Sequence, residues 1–546
     1  MRYVDYQYPV PTLAPMRKLI PSILAMAMLT SACVAGTDNV LSVAPEGSVT
    51  TLPPLSSSTS VDINESTGTT LPPETTTTTA PPRPEGIVTP ETVFEQWGSV
   101  NGLTMFRGNP TRTFFGTGPV PATTPDRLWR YPESPMSGQS PVGREPKTWS
   151  GTGWTGQPLV HVREDGKTEL IFGAYDKQIH FLDADTAERL RPPFDMGDII
   201  KGTVTLDPDG YPLIYAGSRD PRFRILALDG DVVREVWSLH AKAVEGMWND
   251  DWDSNPVVVD DMLYVGGENS WWFAIKLNRS YDDQGMVTVD PEIVYQMPAW
   301  TDVLYDLLGR QHSVENSTAI FEQKAYFATS GGRVVGVDLT DIENGNADVF
   351  FDWWMGDDID STITIDQEGY VYVVAHADHE KTNNTAARRV REVGQLVKLD
   401  TSIEVGDALT SVTPIVWRVE IPAARGQDTG AWATPALHRE GFLFVATDSG
   451  DLLAIDTDTG VTVWSDSIGV NAWSSPAIVD DTLVIAVDCF TDQSGLRAYD
   501  ITDPLAPREL WTRPLATGGC IEATPAIWNG TIFVGSRDGF MYAFGS

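Results

Sequence analysis

One unit of the sequence decides the fold, and it consists of four short apolar runs: Thr434-Pro435-Ala436-Leu437, Phe442-Leu443-Phe444-Val445-Ala446, Leu452-Leu453-Ala454-Ile455-Asp456 and Val463-Trp464. Polar turns separate the runs, including Asp448-Ser449-Gly450 and Thr459-Gly460. Short apolar runs bounded by such turns predict β-strands. Similar units recur with a period of roughly 40 to 50 residues, and four strands per repeat at that period predict the blades of a β-propeller.

Eight such units follow one another along the chain. The predicted starts of their inner strands are near Gln157, Gly202, Asn255, Ser317, Ser361, Thr434, Ser475 and Thr524. The last unit ends at Ser546 without a fourth strand, whereas Leu128-Trp129-Arg130-Tyr131 precedes the first unit and has the character of an outer strand. We expect these N-terminal residues to pair with the last three strands and close the ring, which leaves only short edges. The predicted fold is all-β, an eight-bladed propeller of four-stranded antiparallel blades over residues 91–546.

The turns of the repeat carry a recognisable pattern. Ala454-Ile455-Asp456 is followed by Thr459-Gly460 and Trp464, with degenerate copies at 227–237 and 498–511. This pattern resembles the repeat of pyrroloquinoline-quinone (PQQ)-type β-propellers, and Met105–Thr113 resembles the opening segment common in that superfamily. The resemblance covers about 120–546 and implies the fold, but it implies no single activity. The superfamily includes quinoprotein dehydrogenases, outer-membrane assembly lipoproteins and many propellers without a cofactor.

The residues of the repeat have a structural role on physical grounds. The aspartate caps a tight turn, the glycine accepts the positive φ of that turn, and the outer-strand tryptophan fills space between blades. We therefore interpret the following residues as structural: Asp456, Gly460, Trp464, Trp511, Trp237, Trp417 and Trp129.

The composition excludes some classes of partner. Asp and Glu number 75 against 38 Lys and Arg, a formal net charge of -37. Such a field repels the phosphates of nucleic acids and anionic lipid headgroups, so we expect no nucleic-acid partner. The sequence also lacks an apolar run of about 20 residues, which a membrane-spanning helix requires.

The N-terminus reads as a targeting segment. Met16-Arg17-Lys18, an apolar stretch from Leu19 to Leu29, and Thr30-Ser31-Ala32-Cys33 have the order of a secretory signal. The segment resembles a bacterial lipobox, which implies lipidation of Cys33 and an anchor on the outer side of the cytoplasmic membrane or in the cell envelope; plain secretion is the alternative. Residues 1–33 are thus the signal, and residues 34–90, rich in Thr, Ser and Pro, are a disordered linker. Membrane contact is expected only through the anchor.

Any site is expected on one face of the ring, here called the top face. It carries the loops from each outer strand to the next inner strand and the loops between second and third strands, and several of them are long. Acids and indoles are concentrated in 246–255. The candidate ligand-binding residues are Trp248, Asp250, Asp251, Trp252, Asp253 and Asn255, with Glu315, Asn316, Asp360, Trp432, Trp473 and Glu522 from other blades. Their oxygens could hold Ca²⁺, and their indoles could stack on an aromatic or sugar ligand. The alternative is a channel lined by polar residues and water.

The sequence favours a binding or scaffolding module at the bacterial envelope. Its partner is expected to be an envelope or extracellular protein or a small ligand. The alternative, implied by the resemblance, is a dehydrogenase dependent on PQQ and Ca²⁺, in which Glu315, Asn316 and Asp360 would imitate the acids of the cofactor pocket. Alcohol-oxidising relatives carry a disulfide of adjacent cysteines, and this sequence has no adjacent pair. We find no phosphate loop, zinc spacing or hydrolase elbow, and assign no catalytic residue.

Two smaller features concern the top face. Cys489 and Cys520 fall on this face in neighbouring blades, so a disulfide is expected in an oxidising compartment, with two free buried thiols as the alternative. An insertion in blade five, 376–394, contains Lys381, Arg388, Arg389 and Arg391, a basic island on an acidic body. It could recruit an acidic partner, or it is a solvated hairpin extension.

Overall fold

The computed structural model describes residues 87–546 except 143, 154–155, 470–471, 488, 490, 492 and 516–518. The predicted signal, Cys33 and most of the predicted linker lie outside these residues. Residues 87–90, predicted as linker, belong to the folded region, because Val88 is buried and pairs with Glu322. Neither α-helix of the described region is long and apolar enough to cross a bilayer.

The described residues form eight blades, each with a four-stranded antiparallel sheet, as the sequence predicts. The strands of blades one to four are Leu159–Val162, Thr168–Gly173, Gln178–Asp183 and Phe194–Asp195; Thr205–Leu206, Leu213–Ala216, Arg222–Ala227 and Arg234–His240; Val257–Val259, Met262–Gly267, Trp271–Lys276 and Glu292–Pro298; Ala319–Phe321, Lys324–Ala328, Arg333–Asp338 and Val349–Trp354. Those of blades five to eight are Thr364–Ile365, Val371–Val374, Leu396–Leu399 and Ile415–Val419; Ala436–His438, Phe442–Ala446, Asp451–Asp456 and Thr462–Ser467; Ala477–Val479, Thr482–Val487, Gly495–Asp500 and Arg508–Pro514; Ala526–Trp528, Thr531–Gly535, Met541–Gly545 and Asp126–Tyr131.

Smaller elements decorate the blades. Two short strands extend the inner edges of blades one and eight, and two hairpins stand outside the blades: Gly102–Leu103, Gly116–Thr117, Ser137–Val142 with Glu145–Ser150, and Ser280–Tyr281 with Val287–Thr288. The helices are Asp302–Leu308 and Asn384–Val393, with 3-10 turns at Pro90–Thr92, Ala241–Ala243, Ile342–Asn344 and His379–Lys381.

Blade eight combines both ends of the folded region. Asp126–Tyr131 pairs antiparallel with Met541–Gly545, and Trp129 lies opposite Ala543. The Trp129 indole donates to the Ala184 carbonyl of blade one at 2.8 Å. The N-terminal strand therefore completes the eighth sheet, as predicted, and also ties that sheet to blade one.

The turn of the repeat links neighbouring blades. Asp456 Oδ1 accepts from the amide and hydroxyl of Thr459 at 2.8 and 2.7 Å, and Gly460 has φ 71°. Trp417, on the outer strand of blade five, donates its indole N–H to the Thr457 carbonyl of this turn at 2.7 Å. These contacts confirm the structural role of Asp456, Gly460 and Trp417.

Hydrogen bonds also join the inner strands around the channel. The Thr203 amide donates to Asn255 Oδ1, and the Asn255 side chain donates to Ser317 Oγ at 2.7 Å. The Ser317 amide donates to Thr362 Oγ1 at 3.1 Å, and the Thr362 amide to Thr434 Oγ1 at 2.9 Å. Each blade from two to six is thus connected to the next at the same level.

The segment Gly102–Thr117, here called the plug, occupies the part of the channel away from the top face. It pairs with the inner strands of blades one and eight and contacts blades two, four and five through backbone bonds from Leu206 to Thr104, Ile320 to Pro110 and Ile365 to Thr111. Most of these partners lie late in inner strands that run away from the top. The sequence identified 105–113 only as a family-like segment and did not predict this role.

Two buried arginines hold the plug in the channel. Arg107 donates to the carbonyls of Thr434 and Pro476 at 2.6 and 2.9 Å, which belong to blades six and seven. Arg112 donates to the Thr318 carbonyl of blade four. Burial lowers the pKa of both arginines to about 9. The plug therefore connects blades that do not touch one another directly.

Cys489 and Cys520 form a disulfide between blades seven and eight, the pairing expected from the sequence. Their Cα atoms are 4.2 Å apart, with 31 residues of sequence separation. Because a crosslink restricts the unfolded chain, we expect Cys489→Ser/Cys520→Ser to lower the free energy of unfolding by about 3 kcal/mol. Urea unfolding with and without a reductant measures this effect. Reduced wild type should match the double variant, and a difference that persists under reduction would contradict the assignment.

Candidate functional site at the top of the channel

Two positions of the repeat, each named below for seven of the eight blades, lie at the top of the channel. The first lies just before the inner strand and provides Lys201, Asp253, Glu315, Asp360, Trp432, Trp473 and Glu522. The second lies one to three residues after the second strand and provides Tyr175, Arg219, Glu268, Ser330, His376, Asp448 and Arg537. Sequence analysis named the first set, apart from Lys201, as candidate ligand residues and named none of the second set. Because these residues share one position after the second strand of the repeat, that position could have indicated them from the sequence.

Lys201, Asp253, Glu268 and Glu315 form the lysine cluster. Lys201 Nζ pairs with Asp253 and lies 3.3 Å from Glu268. One oxygen from each of the three acids lies within 4.8 Å of the others. Asn249 donates to Glu268 at 2.6 Å. Two buried carboxylates thus pair with one ammonium group, and the half-buried Glu315 lies beside them.

The charges of the lysine cluster shift the pKa values of its acids in opposite directions. Burial would raise the pKa of Glu268, but Lys201 and hydrogen bonds from Asp253 and Asn249 lower it to about 2. Burial raises the pKa of Asp253 well above its ordinary value, against the attraction of Lys201. Burial, Glu268 and Asp360 raise the pKa of Glu315 well above the usual range. The cluster therefore binds protons at some acids while it keeps Glu268 ionised.

Asp251 adjoins the lysine cluster and is held by Arg219 at 2.5 Å. Burial and the charge of Glu268 raise the pKa of Asp251 to about 6, although Lys201 and Arg219 oppose the shift. Arg219 also donates to the Pro141 carbonyl of the hairpin at 2.9 Å. Asp251 therefore lies between Arg219 and the lysine cluster.

Asp358, Asp360, His376 and Asp448 form the histidine cluster. His376 Nε2 lies 3.1 Å from Asp360 and 3.6 Å from Asp358. Burial lowers the pKa of His376, but its bonds to the two carboxylates outweigh burial and raise the pKa well above the ordinary value. The two carboxylates therefore favour the protonated imidazole, which bonds to Asp360 and faces Asp358.

Two indoles border the histidine cluster. Trp432 stacks on Trp473 with ring centroids 5.3 Å apart, and its edge meets the His376 ring at 5.0 Å. Both indoles are half-buried. Asp448 accepts from the Trp432 amide at 3.2 Å. The structure thus brings predicted Asp360, Trp432 and Trp473 together with His376 and Asp448.

Three predicted ligand residues make structural contacts, and their role in binding stays a prediction. Trp252 is 1% exposed and packs between two phenylalanines of blades two and three. Asn255 belongs to the hydrogen bonds that join inner strands. Asn316 donates to the carbonyls of Ala328 and Ile359 at 3.0 and 2.8 Å. Their polar and aromatic groups are used between blades and not in the channel.

The remaining predicted residues lie around the rim. Asp250 pairs with Lys242 at 2.8 Å in a partly exposed contact, and Trp248 is half-buried in the same loop. Glu522 pairs with Arg537 at 2.8 and 2.9 Å. Their role in binding stays a prediction.

The blade-five insertion differs from the predicted hairpin because it forms the helix Asn384–Val393. Arg389 is buried and donates to the carbonyls of Trp354 and Ser411 at 2.9 and 2.7 Å. Lys381 pairs with Asp428 at 2.9 Å. The predicted basic island is therefore reduced to the exposed Arg388 and Arg391.

Comparisons with known proteins agree with this architecture. Residues 411–545 match a family model described as outer membrane protein assembly factor BamB. Quinohemoprotein alcohol dehydrogenase ADHIIG from Pseudomonas putida HK5 is similar with a TM-score of 0.50 and 11% identity, over 81% of this chain and 79% of that one. The fold is that of an eight-bladed β-propeller. No curated protein matches the chain.

Two further solved structures resemble this propeller. The quinohemoprotein alcohol dehydrogenase from Comamonas testosteroni has a TM-score of 0.49 and 13% identity, over 81% of this chain and 80% of that one. BamB from Moraxella catarrhalis has a TM-score of 0.37 and 10% identity, over 77% of this chain and 100% of that one. At these identities, structural likeness concerns the fold alone.

The residues of this propeller do not fit PQQ with Ca²⁺ at the two clusters. A calcium ion takes six to eight oxygen ligands. Lys201 already bonds to Asp253 and Glu268, and His376 already bonds to Asp358 and Asp360. The two site indoles stack on each other and do not face each other across a gap for a planar ring. We therefore derive no redox step through this site.

Asp448 gives a pH-dependent prediction. Burial, with added repulsion from Asp428 and Asp360, raises its pKa to about 6. Because the folded pKa exceeds the ordinary value of 3.8, the folded state loses stability as the pH rises from 4 through 6. Asp448→Asn removes this cost, so we expect its free energy of unfolding at pH 7 to exceed that of wild type by about 2 kcal/mol. Urea unfolding at pH 7 and pH 4 measures the difference, which should nearly vanish at pH 4.

Proposed function

We propose that this protein is an exported β-propeller of the cell envelope, anchored through Cys33, and that it binds its ligand or partner at the top of the channel. The main observation behind this proposal is that the two ends of the channel differ. The plug bonds to the inner strands of blades one, two, four, five and eight, whereas buried charged groups from several blades converge at the top. The secretory pattern before Cys33 and the envelope protein named by the matching family model support the location.

The same geometry favours binding over catalysis. Apart from Asp448, the acids of the two clusters are bonded to Lys201 or His376 or favour the protonated form. Such groups provide charge and hydrogen bonds at fixed positions, which suits recognition. A general base would need an ionised group free to accept a proton from substrate.

Site-specific photo-crosslinking tests the binding face in the native organism. A photoreactive amino acid replaces Tyr305, exposed on the helix of a top loop, or Leu505, exposed on the opposite side of blade seven. We expect a discrete cross-linked product at Tyr305 and none at Leu505. Equal products from both positions, or a product from Leu505 alone, would overturn the proposed face.

The rival enzyme and the anchor have separate tests. PQQ and Ca²⁺ added to the full-length protein should give no saturable absorbance change and no dye-linked oxidation of alcohols or sugars; turnover would overturn the binding role. Cys33→Ala should move the protein from the membrane fraction to the soluble fraction. Retention of this variant in the membrane fraction would contradict the lipid anchor.

A further inference from the structure

The histidine cluster has three carboxyl groups and only one basic group. Asp358, Asp360 and Asp448 surround the single cation His376, and all four residues are at most 8% exposed. The lysine of the blade-five insertion is engaged by Asp428. Buried carboxylates are costly unless a cation or a proton compensates them. The cluster therefore has the charge of a site for a cation.

One oxygen of this cluster lacks a donor. Asp358 is 5% exposed, and its Oδ1 is buried without a hydrogen-bond partner among the residues that the structure describes. Its Oδ2 accepts from Gln311 at 3.2 Å and faces His376. Native proteins rarely leave a buried acceptor unpaired. Asp358 contributes one oxygen to the group of ligand atoms within 4.8 Å of one another, and its unpaired Oδ1 indicates a donor from outside the chain.

The neighbouring indoles indicate the kind of cation. Trp432 and Trp473 stack on each other and are both half-buried, so the pair presents aromatic surface beside the acids. Indole faces attract ammonium and guanidinium groups, whereas a hard metal ion prefers a shell of oxygens. His376 Nε2 already bonds to Asp360 and faces Asp358, which leaves a metal ion few free ligands.

We propose that the histidine cluster and the Trp432–Trp473 pair bind an organic cation, an ammonium or guanidinium group, at the top of the channel. Its N–H or methyl groups would contact Asp358, Asp360 and Asp448 while one face lies against an indole. This inference rests on the proposed binding role of the top face and names the chemistry that this part of it recognises.

Titrations of the full-length protein at pH 7, monitored by calorimetry and by tryptophan fluorescence, test the proposal. The probes are choline and arginine amide, and the control is 3,3-dimethylbutan-1-ol, a neutral molecule with the shape of choline. We expect saturable heat and quenching from at least one cation and at least tenfold weaker binding of the neutral control. Binding of choline alone indicates a free quaternary ammonium ligand, and binding of arginine amide alone indicates a side chain of a partner protein. Equal binding of the neutral control, or no binding of either cation, overturns the proposal.

Variants localise the site. Trp432→Leu and Asp448→Asn should each weaken cation binding about tenfold. Trp149→Leu, a half-buried top-face indole beside Arg537, is the matched control and should bind as wild type does. Because Asp448→Asn is expected to be more stable than wild type, weaker binding by this variant cannot result from unfolding. Unchanged binding by both site variants would overturn the location.

The outcomes distinguish this inference from the proposed function. Cross-linking at Tyr305 without cation binding would leave the binding face in place and reject only the organic cation. Cation binding without cross-linking at Tyr305 would support the site chemistry and reject the envelope partner.

Discussion

Replacement of Lys201 by methionine is expected to lower the free energy of unfolding at pH 7 by about 4 kcal/mol. Lys201 is the ammonium partner of Asp253 and Glu268, which are both buried. Removal of one member of a buried ion pair leaves the other charge uncompensated, and this cost exceeds that of most surface changes. Urea-induced unfolding of the two proteins measures the difference.

The pKa of Glu268 determines how the stability difference between wild type and Lys201→Met changes with pH. Its folded pKa, about 2, lies below the ordinary value of 4.5, so it stabilises wild type above pH 4.5 and loses that contribution as the pH falls toward 2. Without Lys201 the pKa of Glu268 rises, and the deficit of the variant should shrink at acidic pH. Lys242→Met, which breaks the partly exposed pair with Asp250, is the matched control with an expected change below about 0.5 kcal/mol. Equal losses from the two lysine variants would refute the buried role of Lys201.

Replacement of Trp252 by alanine is expected to lower the free energy of unfolding by about 4 kcal/mol. The indole lies between Phe223 and Phe273 with ring centroids 5.7 and 5.6 Å away, and it is 1% exposed. Its loss would leave a cavity between blades two and three. Chemical unfolding monitored by circular dichroism measures the effect.

Two controls separate this packing role from ligand binding. Trp252→Phe should cost only about 1 kcal/mol, because the indole N–H has no acceptor among the described residues and no hydrogen bond is lost. Trp248→Ala, in the same loop but half-buried, should destabilise the protein much less than Trp252→Ala. The packing assignment fails if Trp248→Ala is the more damaging change.

The fold could be predicted from the sequence because its determinants are local and repeated. Each blade carries its own strands and turns, so the pattern at Asp456 and Gly460 could be read without knowledge of the partners. The position of Trp129 followed from a simple count, since eight inner strands were present but only seven outer strands followed them. The plug had no such signal: the bonds of Arg107 join residues more than 300 positions apart along the chain.

The site could be predicted only in part. Repeat positions located Asp253 and Asp360 correctly, because the backbone just before each inner strand reaches the channel in every blade. The direction of a side chain depends on the loop, and for this reason Trp252 points between blades while its neighbour Asp253 points to the channel. Apart from Lys201, the partners of these acids lie in the loops after the second strands. The short polar sequences of these loops contain no strong motif. His376 was not recognised for that reason.

The union of the two ends in blade eight also determines when the native structure can form. Residues 126–131 emerge from the ribosome first, but their partners at 541–545 are more than 400 positions further on. Blades in the middle of the chain can form as they are synthesised, whereas the N-terminal strand must wait for the last few residues. Closing so long a loop is entropically costly and slow. A chain that stops before Met541 would therefore leave the strand Asp126–Tyr131 without a partner. The edges of two sheets would then be exposed to aggregation and proteolysis.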